Sequence, residues 1–414
     1  MAIGDNAMSE ENAMSEENEI LEENNIPEVQ VSDFEIPVLD LEEYEVPEEE
    51  HDEIENEHGG ALDYAFLGSG QAGGRIAEQF YKLGYKKALC LNTAANDLST
   101  VDIPDSQKFI LDVGQGGAGK NMDRGESAAL KYQQEIYDLM RKIFGQKTEH
   151  IFICFGAGGG SGAGSSFALI EVAKKYLTYI GIKDVDKRVG AIMTLPTDGE
   201  SASPKVAENA LYVAERVSEY AEKGFISPAV IIDNDKIKNM YKSVPVAKFW
   251  PTINSTVAGL FNIFNILASQ NSQYTSLDPT DYSTILTSGG HMIMGVTTVK
   301  EIGGETDISK AVKGNLEKTL LADGFDLTSA KVAGCIIVGG KEMFANVAGL
   351  MQYIEYGFDT LAQLTGNATI HRGIYEDNRE VLRVYTIIGG LDAPSKRYAE
   401  LKNKHNSEKA DLYN

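Results

Sequence analysis

Between residue 60 and about residue 241, short apolar runs alternate with longer stretches in which apolar positions recur every three or four residues. This is the pattern of a parallel sheet whose strands are joined by helices. The run at 151–155 is apolar throughout, as a strand buried on both faces would be, and after it Phe167, Ile170, Ala173, Tyr176 and Leu177 fall at helical spacing. Further on, Val257, Leu260, Phe261, Phe264 and Leu267 mark a helix with little polar face, which predicts burial between domains. Strand-like runs return at 292–296, 335–338, 369–374 and 381–388. The predicted fold is therefore α/β: a doubly wound parallel sheet over 61–248, a central buried helix over 249–270, and a second, smaller α/β domain over 271–392. A short polar tail, 393–414, follows.

The first 60 residues break this pattern. They hold 22 Asp and Glu with no Lys or Arg, so of the chain's net charge of −25 the remainder carries only −3, from 40 acids against 37 bases. A segment of that composition cannot bury enough apolar surface to fold alone, so 1–60 is expected to be a disordered acidic extension, with a tandem NAMSEE repeat at Asn6 and Asn12. Apolar knots at Ile26-Pro27, 34–39 and Val46-Pro47 are candidate docking peptides for an adaptor protein. Its acidity argues against direct nucleic-acid binding, because phosphate affinity comes from Lys and Arg.

Among the 414 residues, 43% are hydrophobic, enough to bury a large core in about two domains. No stretch approaches the ~20 apolar residues that span a bilayer, and no signal-peptide pattern is present, so a cytoplasmic protein with no membrane association is expected. Cys90, Cys154 and Cys335 lie singly in apolar runs and read as buried small hydrophobes in a reducing compartment. The six histidines form no ligand cluster, and no transition-metal site is expected.

Chemistry concentrates in residues 152–164, FICFGAGGGSGAG, where six glycines fall within nine residues. Glycine reaches positive φ without steric cost and lets a ligand approach the main chain, so successive N–H groups can face one anion. The helical pattern that follows adds orphan N–H groups and a favourable dipole. Here the backbone is the functional group, and phosphate is its expected ligand. A Walker A loop is excluded, since no lysine follows the glycines at the required place. A second loop, GSGQAG at 68–73, also satisfies the dinucleotide pattern GxGxxG, but a Rossmann site needs an acidic residue at the end of the next strand, where Asn92 and Thr93 stand. An oxidoreductase is a distant alternative.

Several loops in order resemble the tubulin and FtsZ superfamily. GAGGGSGAG is similar to its GGGTGSG motif, with Gly158, Gly159, Gly160 and Gly162 in place and Ser161 for threonine. Gly70, Gln71, Ala72 and Gly73 look like the GQAG of tubulins, and Asn92-Thr93 like the NT of the second loop. GQGGAGKN at 114–121 resembles the loop that contacts the γ-phosphate, through Gly117, Ala118, Gly119 and Asn121, although Lys120 intrudes and Met122 replaces proline. The resemblance implies that Pro196 and Glu200 border the ribose, that Asn234 within IIDNDKI bonds the guanine edge, and that Trp250 and Asn254 stack on and read the base. SLDPTDY resembles the loop whose Asp278 and Asp281 enter the neighbouring subunit's site and polarise the attacking water.

Each of these has a plainer role open to it. Asp278-Pro279-x-Asp281 is also how a helix begins, Asn234 suits a turn, and Trp250 suits a core. Over about residues 62–392 the resemblance implies a GTPase with GTP/GDP and Mg²⁺, hydrolysing at the contacts of a head-to-tail homopolymer. The divergent loops, the acidic extension and the lack of a C-terminal docking peptide point to a phage- or plasmid-type branch, similar to the TubZ and PhuZ groups, that positions DNA or phage cargo. The alternative is a divergent FtsZ-like cell-division or scaffold protein with slow hydrolysis.

Overall fold

A computed structural model of the protein describes residues 54–412 apart from 115, 243, 244, 318 and 320. The NAMSEE repeat and the three apolar knots of the extension lie outside the described residues. Residues 54–60, assigned to the extension by composition, pack at the start of the fold: Asn56 Nδ2 donates to Asp63 and to the Tyr64 carbonyl at 2.9 and 2.8 Å, and the His58 ring stacks 3.8 Å from that of Tyr85.

The strands are β1 (Tyr64–Ser69), β2 (Ala88–Asn92), β3 (Lys108–Ile110), β4 (His150–Gly156), β5 (Val189–Leu195), β6 (Ala229–Asp233), β7 (His291–Val299), β8 (Val332–Gly340), β9 (Thr369–Asp377) and β10 (Leu382–Leu391). In space their order is 3-2-1-4-5-6-7-10-8-9. Strands β1 to β7 are parallel; β10 runs antiparallel between β7 and β8, and β9 is parallel to β8. The sequence predicts two sheets. The structure joins them into one, through the single pairing of Ala229 with His291.

Helices α1 (Gly70–Lys82), α2 (Ala95–Ser99), α3 (Met122–Lys131), α4 (Gln133–Phe144), α5 (Ser161–Tyr179), α6 (Asp198–Ser201) and α7 (Pro204–Glu222) accompany the parallel strands. They are followed by α8 (Asn234–Met240), α9 (Val246–Ser269), α10 (Pro279–Leu286), α11 (Asp307–Glu317), α12 (Lys341–Asn346), α13 (Leu350–Leu364) and α14 (Ser395–Leu412). Because successive strand side chains point to opposite faces, Tyr64 and Phe66 of β1 enter a core shared with α1, α9 and α13, whereas Ala65 and Leu67 enter a core shared with α4, α5 and α7. Both faces are covered, as the uniformly apolar strands require.

Helix α9 runs from one end of the parallel strands to the other. Its 24 residues span about 36 Å. It starts beside α8, at the carboxyl ends of the parallel strands, and near its far end Asn265 accepts from Leu62 N at 2.8 Å and donates to Leu62 O at 3.0 Å, just before β1 begins. The polar tail forms the helix α14, where Tyr398 Oη meets Ser218 Oγ of α7 at 2.7 Å and Leu401 is buried. The sequence pattern predicts no such element, because α14 carries few apolar positions; its helix-forming Lys, Glu, Ala and Leu make a helix once a few residues dock.

Burial holds His58, His150 and His291 neutral, lowering their pKa values to about 4, about 3 and about 4, with Lys87 and Arg188 adding repulsion at the first two. Their folded values lie below the ordinary 6.5, so between pH 6.5 and about 4 the unfolded chain binds the extra protons and stability falls as the pH drops. At pH 5 this amounts to about 2 kcal/mol per histidine at most. Urea denaturation at pH 7 and pH 5 is expected to show a clearly lower midpoint at pH 5; equal midpoints would mean that these rings are accessible to protons in the fold.

Candidate functional site

The carboxyl ends of β1, β4, β5 and β6 open into one cleft of about 390 Å³. Its lining brings together Gly70, Gln71, Ala72, Asn92, Gly119, Gly158, Gly159, Gly160, Ser161, Gly162, Pro196, Glu200 and Asn234, which the sequence places more than 160 residues apart at the extremes. Ser69, Asp97, Lys120, Gly156, Thr194 and Val206 complete it.

Glycine is required here by close backbone approach. A Cβ on Gly160 would stand 2.4 Å from the Gly119 carbonyl, and one on Gly162 would stand 2.7 Å from the Ser69 carbonyl. The three glycine loops therefore touch main chain to main chain, which no larger residue allows. Gly70 adopts φ +70°, and Gly119 φ +59°, the left-handed region open to glycine. The loop opens α5 at Ser161, so the free N–H groups of its first turn face the cleft.

Side chains then tie the loops together. Thr93 Oγ1 accepts from Ala118 N at 2.8 Å and bonds Ser161 Oγ, linking the second, third and main loops. Asn209, buried on α7, donates through Nδ2 to the carbonyls of Lys120, Gly158 and Gly159 at 2.9, 3.4 and 3.3 Å. Sequence reasoning missed Asn209: it sits within an ordinary amphipathic helix, and no local signal marks it. Lys120 lines the cleft and reaches Ser203 Oγ at 3.1 Å.

Other expected residues take different places. Gly73 is buried under the cleft, Gly117 lines a neighbouring hollow with Thr93 and Ala94, and Ala118 is buried between them. Asn121 caps α3, accepting from Arg124 N at 3.2 Å. Glu200 accepts from Thr197 N and Oγ1 at 2.8 and 3.0 Å, closing a capping box on α6 while it lines the cleft. Trp250 and Asn254 do not line the cleft; Trp250 packs edge-on against Phe249, ring centres 5.1 Å apart, and Asn254 is buried one turn further along α9.

Asp278 and Asp281 stand at the opposite end of the sheet. Asp278 Oδ1 accepts from Asp281 N at 2.8 Å and Asp281 Oδ2 from Asp278 N at 3.2 Å, the reciprocal cap that the spacing predicts. Asp281 Oδ1 also meets His371 Nδ1 at 2.7 Å. They follow the far end of α9, so they cannot serve the cleft of their own chain. Among the described residues no cluster of three His, Cys, Asp or Glu is placed to hold a metal ion. No described helix is long and apolar enough to cross a membrane.

Two family models match the chain: the GTPase domain of the tubulin/FtsZ family over residues 63–242, and the C-terminal domain of the TubZ-like tubulin/FtsZ-like proteins over 263–402. The tubulin-like protein TubZ of Bacillus cereus is 24% identical over 411 residues, covering 87% of this chain and 88% of its own length. The tubulin-like protein CetZ of Pyrococcus abyssi is 25% identical over 333 residues, covering 78% and 84%. In fold, the chain is similar to a GTPγS-form protofilament of TubZ from Bacillus thuringiensis serovar israelensis, with a TM-score of 0.73 at 18% identity over 86% of this chain and 95% of that one. A GTPase domain on a doubly wound sheet, followed by a TubZ-like C-terminal domain, places this chain in the tubulin/FtsZ family of filament-forming GTPases.

Proposed function

We propose that the chain binds GTP in the glycine-lined cleft and hydrolyses it when the Asp278–Asp281 end of a second copy closes over it. One observation carries this reading: the cleft and the acidic pair lie at opposite ends of the sheet, about the length of α9 apart. A contact between unlike ends repeats without closing and builds a filament. TubZ structures described as a protofilament and as a two-stranded filament support self-assembly.

In this reading the N–H groups of the Gly70, Gly119 and Gly158–Gly162 loops hold the phosphate oxygens, Glu200 borders the ribose and Asn234 meets the base. A water bonds to the γ-phosphorus as the bond to the bridging oxygen breaks; GDP leaves with that electron pair, and the incoming carboxylates orient the water and take its proton. Positioning and electrostatics supply the catalysis. Mg²⁺, when bound, neutralises phosphate charge. The donor set fits an ion carried chiefly by the phosphates, with Asp97 and Glu200 the carboxylates of this chain in the lining. Trp250 and Asn254 fit this reading only as a supporting wall behind the base.

We assign the cargo role to the same filament: moving or centring a DNA or phage particle in the cytoplasm, through an adaptor on the acidic extension, with no nucleic acid or membrane bound directly. The test of the core reading is GTPase rate per subunit against protein concentration, with polymer pelleted in parallel. The rate is expected to be near zero below a critical concentration and to rise steeply above it; a rate per subunit independent of concentration would place the whole catalytic apparatus in one chain.

A further inference from the structure

The C-terminal helix reaches the base-binding corner of the cleft from behind. Arg397 of α14 donates through Nε to Asp233 Oδ2 at 2.6 Å and through NH2 to Asp233 Oδ1 at 3.1 Å, 164 residues away in sequence. The Asp233 side chain is buried, 4% exposed, and that of Arg397 is partly buried at 12%. Asp233 is the residue before Asn234, and its Oδ1 also accepts from Asp235 N and Lys236 N at 3.2 and 3.4 Å, capping α8. The next carboxylate in the corner, Asp235, accepts from Asp198 N at 3.0 Å, which ties α8 to the short helix that carries Glu200. A planar guanidinium fork on one carboxylate thus sets the orientation of a corner from which both base and ribose are approached.

We propose that Arg397 is a positioning residue for base recognition, and that the docking of α14 and the affinity for guanine are thereby linked. This rests on the reading above in which Asn234 meets the base. Without the guanidinium, Asp233 keeps a buried carboxylate with fewer partners and turns toward solvent, and the first turn of α8, with Asn234, turns with it. Phosphate contacts, made by other loops, are left in place. The loss therefore falls on discrimination between bases more than on binding as a whole.

The experiment measures dissociation constants for GTP and for ITP, whose base lacks the exocyclic amino group of guanine, on the full chain and its variants. Arg397→Met is expected to lower the preference for GTP over ITP by about tenfold, with Arg397→Lys intermediate because an ammonium holds one oxygen at a time. Tyr398→Phe removes one hydroxyl contact with Ser218 but leaves α14 docked through the Arg397–Asp233 fork and the buried Leu401, and is expected to keep the wild-type preference. Asn234→Ala tests the underlying reading and is expected to lose the preference. If Asn234→Ala loses it while both Arg397 variants keep it, Arg397 is only a structural ion pair and the proposal fails. A preference unchanged in Asn234→Ala would overturn the reading of the site and this inference with it. Where Arg397→Met does not fold, the Lys variant decides between the same outcomes.

Discussion

Replacing Asp281 by alanine is expected to cut GTP turnover in assembled protein by about 100-fold or more, the range lost when a group that handles the reacting proton is removed. Binding of GTP should persist, since the cleft lies at the other end of the sheet, and polymer should accumulate because the nucleotide that drives its release is no longer consumed. The alternative role is visible in the structure: Asp281 closes a reciprocal cap with Asp278 on α10. Losing a cap costs ~1 kcal/mol of stability and has no reason to slow chemistry a hundredfold. Asp281→Asn separates the two roles, because an amide oxygen can still accept from Asp278 N but carries no charge. Turnover that falls in Asn and Ala alike, with thermal stability near wild type in Asn, supports the trans-acting carboxylate. Turnover retained in both would reduce Asp281 to a helix cap.

The second large effect is on the fold beneath the cleft. Gly73→Ala puts a methyl group 2.0 Å from the Cys154 carbonyl oxygen and 2.7 Å from its carbon. Both are backbone atoms of a central strand, so no side chain can rotate aside, and α1 must lift from β4. Overpacking of this kind costs ~3 kcal/mol, here with the added displacement of Gly70 and Gln71 from the lining of the cleft. Gly74→Ala is the control: its methyl would meet one side-chain methyl group, of Val101, at 3.1 Å, which has to give by only a few tenths of an ångström. Chemical denaturation should show a large loss for the first and little for the second, with GTP affinity falling in step; equal midpoints would mean that α1 sits on β4 less tightly than the structure has it.

Features encoded over a few residues are legible in the chain alone. Apolar runs between helical patterns mark β4, β7, β9 and β10 to within a residue of their start. Asp278, Pro279 and Asp281 announce the start of α10, because a cap is a contact over three residues. The glycine loops announce close contacts of main chain with main chain, which only glycine permits, and the order of the loops marks the family. Trp250 shows the limit of such reading. Its spacing to Asn254 suits a base platform, yet the edge-on contact with Phe249 and the core beneath it hold the ring away from the lining.

Local elements are thus written in the sequence: strands, caps, glycine turns and a charge-segregated leader, each governed by residues within one or two turns of each other. Contacts between distant segments are set by the assembled fold instead. Asn209 stitches two glycine loops from 50 to 89 residues away, Arg397 reaches Asp233 across 164, and a single pairing at Ala229 and His291 makes one sheet of two. Such contacts leave no periodic trace, because a buried amide or guanidinium in a helix looks in sequence like any solvated polar position. The placement of cleft and acidic pair at opposite ends follows from the length and direction of α9, a property of the packed tertiary structure that no motif carries.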